Sequence, residues 1–345
     1  MLFRSTMSGT HAELSPSGSA RWLACPGSYW LSKEAPPQPS SAAADEGTDA
    51  HDWAAKVLLG EVDIFDVPYA GVDIYTTRVQ QASERKGALL WVEKRVHLTE
   101  QIHGTPDAVV SHKKMLDVFD LKYGYNKVEA KDNSQLLIYA AGAIKTYDLK
   151  PTKVNMHIVQ PRAGGIRSAS MPIKLFWARV NAITEAADKL LANPEAPRRA
   201  GDHCQYCPAS PICSERKAEA QLAAQIAFRS VQEIDEETML WAIENKKRIL
   251  DWFEQLNAFA ISKPPRGYAV VQGQGRRVWR TDVNIPMILK AMTLSEAEKA
   301  GHNLDELTVK KPGPLTLVRK EVDASSRSEE HTSELQSQST ISYAV

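Results

Sequence analysis

Residues 13–215 predict a mixed α/β fold, and three observations carry the prediction. Helical and strand patterns alternate along this stretch (helix, helix, strands, helix, strand, helix), an order that a helical bundle does not produce. The run MLDVFDLKYG (115–124) has period two, so Leu116, Val118, Asp120 and Lys122 share one face and Asp117, Phe119, Leu121 and Tyr123 the other. Hydrophobic residues make up 43% of the 345-residue chain, enough for a sizeable core.

Taken in order, residues 1–12 are expected to be disordered, with Met7 an alternative start. In LSPSGSARWLACPGS (14–28), Ser15 or Ser17 is placed to cap a helix and Pro16 to open it, and Pro26-Gly27 ends the helix after Ala24. The Pro/Ser/Ala-rich APPQPSSAAADEG (35–47) predicts a loop, and TDAHDWAAKVLLG (48–60) a helix stopped by Gly60. Residues 77–94, with Trp91 near their end, predict a further helix, and EKRVHL, DAVVSH and MLDVFDLKYG predict strands. NSQLLIYAAGAIKTY (133–147) predicts a helix capped by Asn133, KVNMHIVQP (153–161) a strand, and KLFWARVNAITEAADKLLA (174–192) a long amphipathic helix. Residues 216–325 predict a smaller α+β appendage: helix over 216–262, a hairpin in GYAVVQGQGRRVWRT (267–281) turning at Gln272–Gly275, and more helix to about Leu307. RSEEHTSELQS (327–337) resembles a translated sequencing-adapter oligonucleotide, so 326–345 are set aside as a disordered artefact and the natural C-terminus is missing.

No apolar run approaches the roughly 18 residues of a membrane span, and no signal peptide opens the chain, so a cytoplasmic protein is expected. With 42 basic and 42 acidic residues, net charge says nothing for or against a nucleic-acid partner, which would need a local patch.

HCQYCPASPIC (203–213) places Cys204, Cys207 and Cys213 on one short loop broken by Pro208 and Pro211. In a reducing cytoplasm such clusters mean metal or catalysis more often than disulfides. Three thiolates are an incomplete shell for zinc or for an iron–sulfur cluster, and Cys25 is the only thiol left to complete it. The bland alternative is that Cys25 is a small core residue. Thiol count does not decide between zinc and iron.

The stretch GTPDAVVSHKKMLDVFDLKYG carries the other chemistry. Asp107 leads one strand, and the next puts Asp120 and Lys122 on one face, about 7 Å apart at Cα. Two acids aimed at one spot suit a hard divalent ion, and a neighbouring lysine balances anionic charge. A plain Asp120–Lys122 ion pair is the alternative. Gln135 and Tyr139, four apart on the following helix, share a face that can meet this cluster. His51 shares its face with Ala54, Ala55 and Leu58 and so points inward, either as a core histidine or as a third protein ligand.

Together, Pro106-Asp107, Asp120-Leu121-Lys122 and QLLIYA with Gln135 and Tyr139 resemble the motif series of the PD-(D/E)xK nuclease superfamily. His51 after EGT resembles the histidine motif of its RecB-like branch. SPSGSARWLACP with the later C-x2-C-x5-C loop resembles the four-cysteine version found in CRISPR-adaptation nucleases and bacterial helicase–nuclease subunits. The layout is most similar to a phage and prophage family catalogued as a domain of unknown function.

The resemblance implies a restriction-endonuclease-like core over 13–215: a central mixed sheet flanked by helices, with its N- and C-terminal helices clasped by a 4Fe–4S cluster on Cys25, Cys204, Cys207 and Cys213. It implies Mg²⁺ or Mn²⁺ on His51, Asp107, Asp120 and the Leu121 carbonyl, with Lys122, Gln135 and Tyr139 as catalytic or orienting residues. Zn²⁺ on the four cysteines is the alternative to iron. Asp120 stands where relatives often carry glutamate. The implied activity is hydrolysis of DNA phosphodiesters in phage recombination or replication, by an exonuclease or end-processing enzyme. The alternatives are an endonuclease of the same chemistry and a non-catalytic DNA-binding scaffold. DNA is the expected partner, with a recombination or annealing protein as a second; oligomeric state is not legible. Arg276, Arg277 and Arg280 with Trp279 suggest a DNA contact, against the alternative of a solvated hairpin with a buried tryptophan.

Overall fold

The computed structural model describes residues 12–35, 42–227, 234–280, 283, 285–286, 289, 292–313 and 315–319. The side chains of Ala42, Arg276, Leu317 and Arg319 lie outside this description, as do the termini expected to be disordered.

Ser15 accepts the Gly18 N–H and caps a single 3-10 turn at Pro16–Gly18, which leads into α1 (Ser19–Ala24); α2 (Gly27–Ser32) starts directly after Pro26. α3 spans Ala42–Leu58, so residues 42–47 of the expected 35–47 loop are helical. The reason is local: Ala42-Ala43-Ala44 are the strongest helix formers, and Asp45 sits in the first turn, where the helix dipole favours an acid. α4 (Val72–Ser83) is preceded by Gly71 in the left-handed region.

The helix expected over 77–94 is corrected. It ends at Ser83, Gly87 turns the chain at φ 81°, and Leu89–Val92 form strand β1, paired with Ser111 to Ala108. An apolar run this short fits helix or strand; the unpaired edge of the neighbouring strand decided it. β2 (Val96–His97) and β3 (His103–Gly104) make a small separate pair. β4 (Ala108–His112), β5 (Met115–Leu121), β6 (Lys153–Gln160) and β7 (Gly165–Pro172) complete a five-stranded sheet in the order β1-β4-β5-β6-β7. Only β5 and β6 are parallel, so the sheet is mixed. β7 was not foreseen, because its edge position leaves only Met171 of its eight residues buried.

α5 (Ser134–Thr146), which connects β5 to β6, is capped by Asn133 as expected, and α6 (Ile173–Leu191) follows β7. The period-two faces of β5 enter two cores. Leu116 and Val118 join Ile138, Ala141, Phe176 and Val180 of α5 and α6 on one side. Phe119 and Leu121 join Ala50, Ala54, Val72 and Val79 of α3 and α4 on the other. The sheet is thus sandwiched, and strands buried on both faces read as nearly continuous apolar runs. Gly142 lets α5 lie close to β2: a Cβ there would come within 2.8 Å of Val96 Cγ2.

α7 (Ser214–Ala227) and α8 (Glu236–Ser262) follow the cysteine loop. Two compact units divide between Phe259 and Ala260. In the second unit the hairpin expected over 267–281 does not form. β8 (Tyr268–Gln272) pairs with β11 (Leu315–Arg319), and β9 (Arg276–Trp279) pairs with β10 (Thr308–Lys311). Each strand found a later partner, since register in a Gly-rich stretch such as GQG is only weakly fixed by local sequence. Of the helix expected to Leu307, the described residues include α9 (Leu294–Lys299), opened by a capping box at Thr293. Among the described residues, no helix is long and apolar enough to cross a membrane.

Candidate active site

Antiparallel pairing sets Ala108 opposite Phe119, so Asp107, just before β4, meets Asp120, Leu121 and Lys122 at the end of β5. The Leu121 N–H donates to Asp107 Oδ2 at 2.7 Å. His51 Nδ1 lies 3.2 Å from the other oxygen, Oδ1. α3 places His51 there because Ala50 and Ala54 are buried against the sheet. The inward-facing histidine therefore addresses an acid rather than the apolar core. Burial works against its protonated form, but Asp107 and then Asp120 outweigh it and hold its pKa above the ordinary value.

Lys122 Nζ lies 2.8 Å from Asp120 Oδ2 and donates to Gln135 Oε1 at 3.1 Å. Gln135 Nε2 donates in turn to the Tyr139 hydroxyl at 3.3 Å. The i,i+4 pair read from sequence thus forms a chain of contacts running from α5 to the strand lysine. Burial would neutralise Lys122, but the Asp120 charge outweighs it and raises the lysine pKa. Burial raises the pKa of Asp120, and Lys122 only partly offsets it.

The sequence reading missed Glu93. It follows β1 in a left-handed backbone (φ 48°), and its N–H donates to the Asp107 carbonyl at 3.1 Å. His51, Glu93 and Asp107 each offer one ligand atom, all within 4.8 Å of one another. Asp120, expected in that set, is drawn to Lys122 instead, because a carboxylate with 1% exposure needs a cation beside it. Leu121, whose carbonyl is the expected ligand atom, also contributes its N–H to Asp107. Glu93 escaped notice because it sat at the end of a predicted helix; read as a strand, LLWV would have delivered it to the start of β4. Crowding by protein atoms and the Asp107 charge push its carboxyl up to about 8, although its surface is exposed.

The donor set fits a hard divalent ion. One imidazole and two carboxylates converge, and the buried Tyr75 hydroxyl has no hydrogen-bond partner among the described residues. Burial and then Asp107, Glu93 and Asp120 raise its pKa, which places it within electrostatic reach of the same acids. Water on an ion held there would give that hydroxyl the partner it lacks.

Cys25, Cys204, Cys207 and Cys213 line one common cavity. The first three are buried, Cys213 is half-buried, and all four are free thiols. The Arg199 N–H donates to Cys25 Sγ at 3.3 Å. Contacts with Cys204 and Cys25 push the His203 imidazole up to about 10. Two buried polar atoms on the cavity wall, Ser210 Oγ and Arg216 Nε, have no hydrogen-bond partner among the described residues. No three of these sulfurs come within 4.8 Å of one another.

In the second unit, Arg277 is committed internally, to Glu298 at 2.6 Å, Asp305 at 3.6 Å and Thr308 Oγ1 at 2.9 Å. Trp279 packs against Ile285, Leu289, Ala297 and Leu304, and Arg280 Nη1 donates to the Glu306 carbonyl at 3.4 Å. These contacts lie within the second unit; the Arg276 side chain lies outside the described residues.

Fold and site together define a mixed α/β protein whose central sheet gathers His51, Glu93 and Asp107 beside a paired lysine. The chain belongs to the family described as Protein of unknown function (DUF2800), which matches residues 11–67 and 63–311. Among solved structures, the crystal structure of SSO0001 is similar at 15% identity over 61% of this chain and 90% of that one, with a TM-score of 0.33. A phage related exonuclease from Haemophilus somnus 129PT is similar at 14% identity over 53% of this chain and 96% of that one, with a TM-score of 0.25.

Proposed function

We propose that the protein is a metal-dependent DNA nuclease of the PD-(D/E)xK type, acting on strand ends. The observation that carries this reading is the meeting of His51, Glu93 and Asp107 within 4.8 Å, next to a lysine held by Asp120 and Gln135. A bound Mg²⁺ or Mn²⁺ would supply Lewis acidity toward a phosphoryl oxygen and a water of lowered pKa. His51, Glu93 and Asp107 would hold it, with Asp120 close behind. The Leu121 N–H keeps the Asp107 carboxylate aimed. Lys122, with its pKa raised, stays protonated at neutral pH. Its role in this reading is that of a cation stabilising charge on the phosphate in the transition state. Gln135 and Tyr139 hold the amine in place.

The cysteine cavity is proposed to hold a 4Fe–4S cluster that ties the segment around Cys25 to the loop 204–213. Two polar atoms on the wall without a hydrogen-bond partner among the described residues, Ser210 Oγ and Arg216 Nε, would donate to the sulfurs of such an anionic group.

Purified protein with Mg²⁺ or Mn²⁺ is expected to degrade linear DNA and to spare closed circles, and Asp107→Ala to abolish this while melting like the wild type. Cleavage of circles would make it an endonuclease. Absence of any cleavage by metal-loaded protein would leave a DNA-binding scaffold.

A further inference from the structure

Two tyrosines stand out from the surface, one on the loop after Lys122 and one on the cysteine loop that touches it. Tyr125 is 74% exposed and Tyr206 73% exposed. Tyr125 lies three residues beyond Lys122, which places it within about 10 Å of the lysine by chain reach. Tyr206 lies between Cys204 and Cys207.

Both sit on fixed supports. The buried Gln160 side chain donates to the Gly124 and Asn126 carbonyls, each at 2.8 Å, and accepts the Val128 N–H at 3.1 Å. Asn126 Nδ2 donates to the Tyr206 hydroxyl at 2.7 Å, so the loop after the catalytic strand and the cysteine loop touch. The Arg162 guanidinium lies 3.8 Å over the Tyr123 ring and 5.3 Å from Tyr125, held by both oxygens of Glu46. Lys247 Nζ reaches Gln205, next to Tyr206, at 3.5 Å.

From this arrangement we infer that Tyr125 and Tyr206 form a stacking platform for unpaired nucleobases of the DNA strand entering the metal site. Both rings stay largely in water on pinned loops, Tyr125 with the Arg162 guanidinium 5.3 Å from its centroid, and a base supplies a matching aromatic face. Duplex DNA hides its base faces within the stack, so the platform selects a strand whose bases are unpaired. Placing Tyr206 on the cysteine loop gives that loop a part in substrate binding. This inference rests on the nuclease reading for the identity of the strand, not for the binding itself.

The test is binding to an oligonucleotide carrying 2-aminopurine, with Ca²⁺ replacing Mg²⁺ and with intact duplex as the comparison. Wild type is expected to bind single strands more tightly than duplex and to quench the 2-aminopurine. Tyr125→Ala and Tyr206→Ala should each weaken single-strand binding about tenfold, as loss of one stacked base predicts. Tyr125→Phe and Tyr206→Phe should keep it, since the ring and not the hydroxyl does the stacking. Alanine variants that bind like wild type, phenylalanine variants that lose as much as alanine, or no preference for single strands would each overturn the platform. Cleavage by Asp107→Ala is scored separately: cleavage equal to wild type defeats the nuclease reading and leaves the binding result standing.

Discussion

At the scale of single residues, the site is a set of buried charges that constrain one another. Asp107 holds two positions at once, through the Leu121 N–H and through His51. Asp120 and Lys122 neutralise each other in a place where neither would survive alone. The buried Tyr75 hydroxyl has no hydrogen-bond partner among the described residues. Tyr75→Phe is therefore expected to leave thermal stability unchanged or slightly higher, since an unpartnered buried hydroxyl is removed. The same change should lower Mn²⁺ affinity by about tenfold, as loss of an outer-shell hydrogen bond does. Thermal unfolding checks the first half and calorimetric titration the second, and unaltered metal affinity would mean that the hydroxyl does not face the ion.

At the scale of elements, a second polar cluster joins the strands away from the site. Asp117 on β5 accepts from Asn155 at 2.9 Å and lies 3.3 Å from His157 Nε2, both on β6, while Arg85 beyond α4 donates to its other oxygen at 2.9 Å. His157 Nδ1 continues to Ser168 on β7 at 2.7 Å. Burial tends to raise the Asp117 pKa, but the bonds from His157 and Asn155 and the Arg85 charge outweigh it, so its folded value is lowered. Its contribution to stability is thus present above the unfolded carboxylate pKa and lost as pH falls through the folded one. Asp117→Ala should cost about 3 kcal/mol at pH 7, as removal of one partner of a buried ion pair does. Urea unfolding followed down the pH scale should show the gap to wild type narrowing only below about pH 4. A constant gap would assign the loss to packing.

For the molecule as a whole, the question is what closes the first unit. Cys25 follows α1, and its cavity partners follow α6, so a group bound to all four sulfurs ties together segments at opposite ends of the sheet domain. Cys25→Ala is expected to lose the visible colour of anaerobically purified protein and to expose α1 and α2 to protease before the sheet. Its Mg²⁺ site, built by α3 and the strands, should still bind metal. A colourless wild type carrying zinc would overturn the iron assignment while leaving the clasp.

Much of this was legible in the chain. Period two in 115–124 fixed β5 and its two faces, because alternation places side chains on opposite sides whatever surrounds the strand. Asn133 fixed the start of α5, and with it Gln135 and Tyr139, because capping is a local hydrogen bond. The four thiols were sufficient to expect that Cys25 and the 204–213 loop come together, as their common cavity shows. Three decisions belonged to the tertiary structure alone. Residues 89–92 became a strand because β4 offered an edge. Glu93, delivered by that strand, joined His51 and Asp107, while Asp120 turned to Lys122. β8 and β9 passed over each other for partners beyond residue 307. The physical reason is the same in each case. Periodicity and caps act over a few residues and are written locally, whereas strand partners and ligand sets depend on which distant groups share a buried space, where unpaired hydrogen bonds and charges cost most.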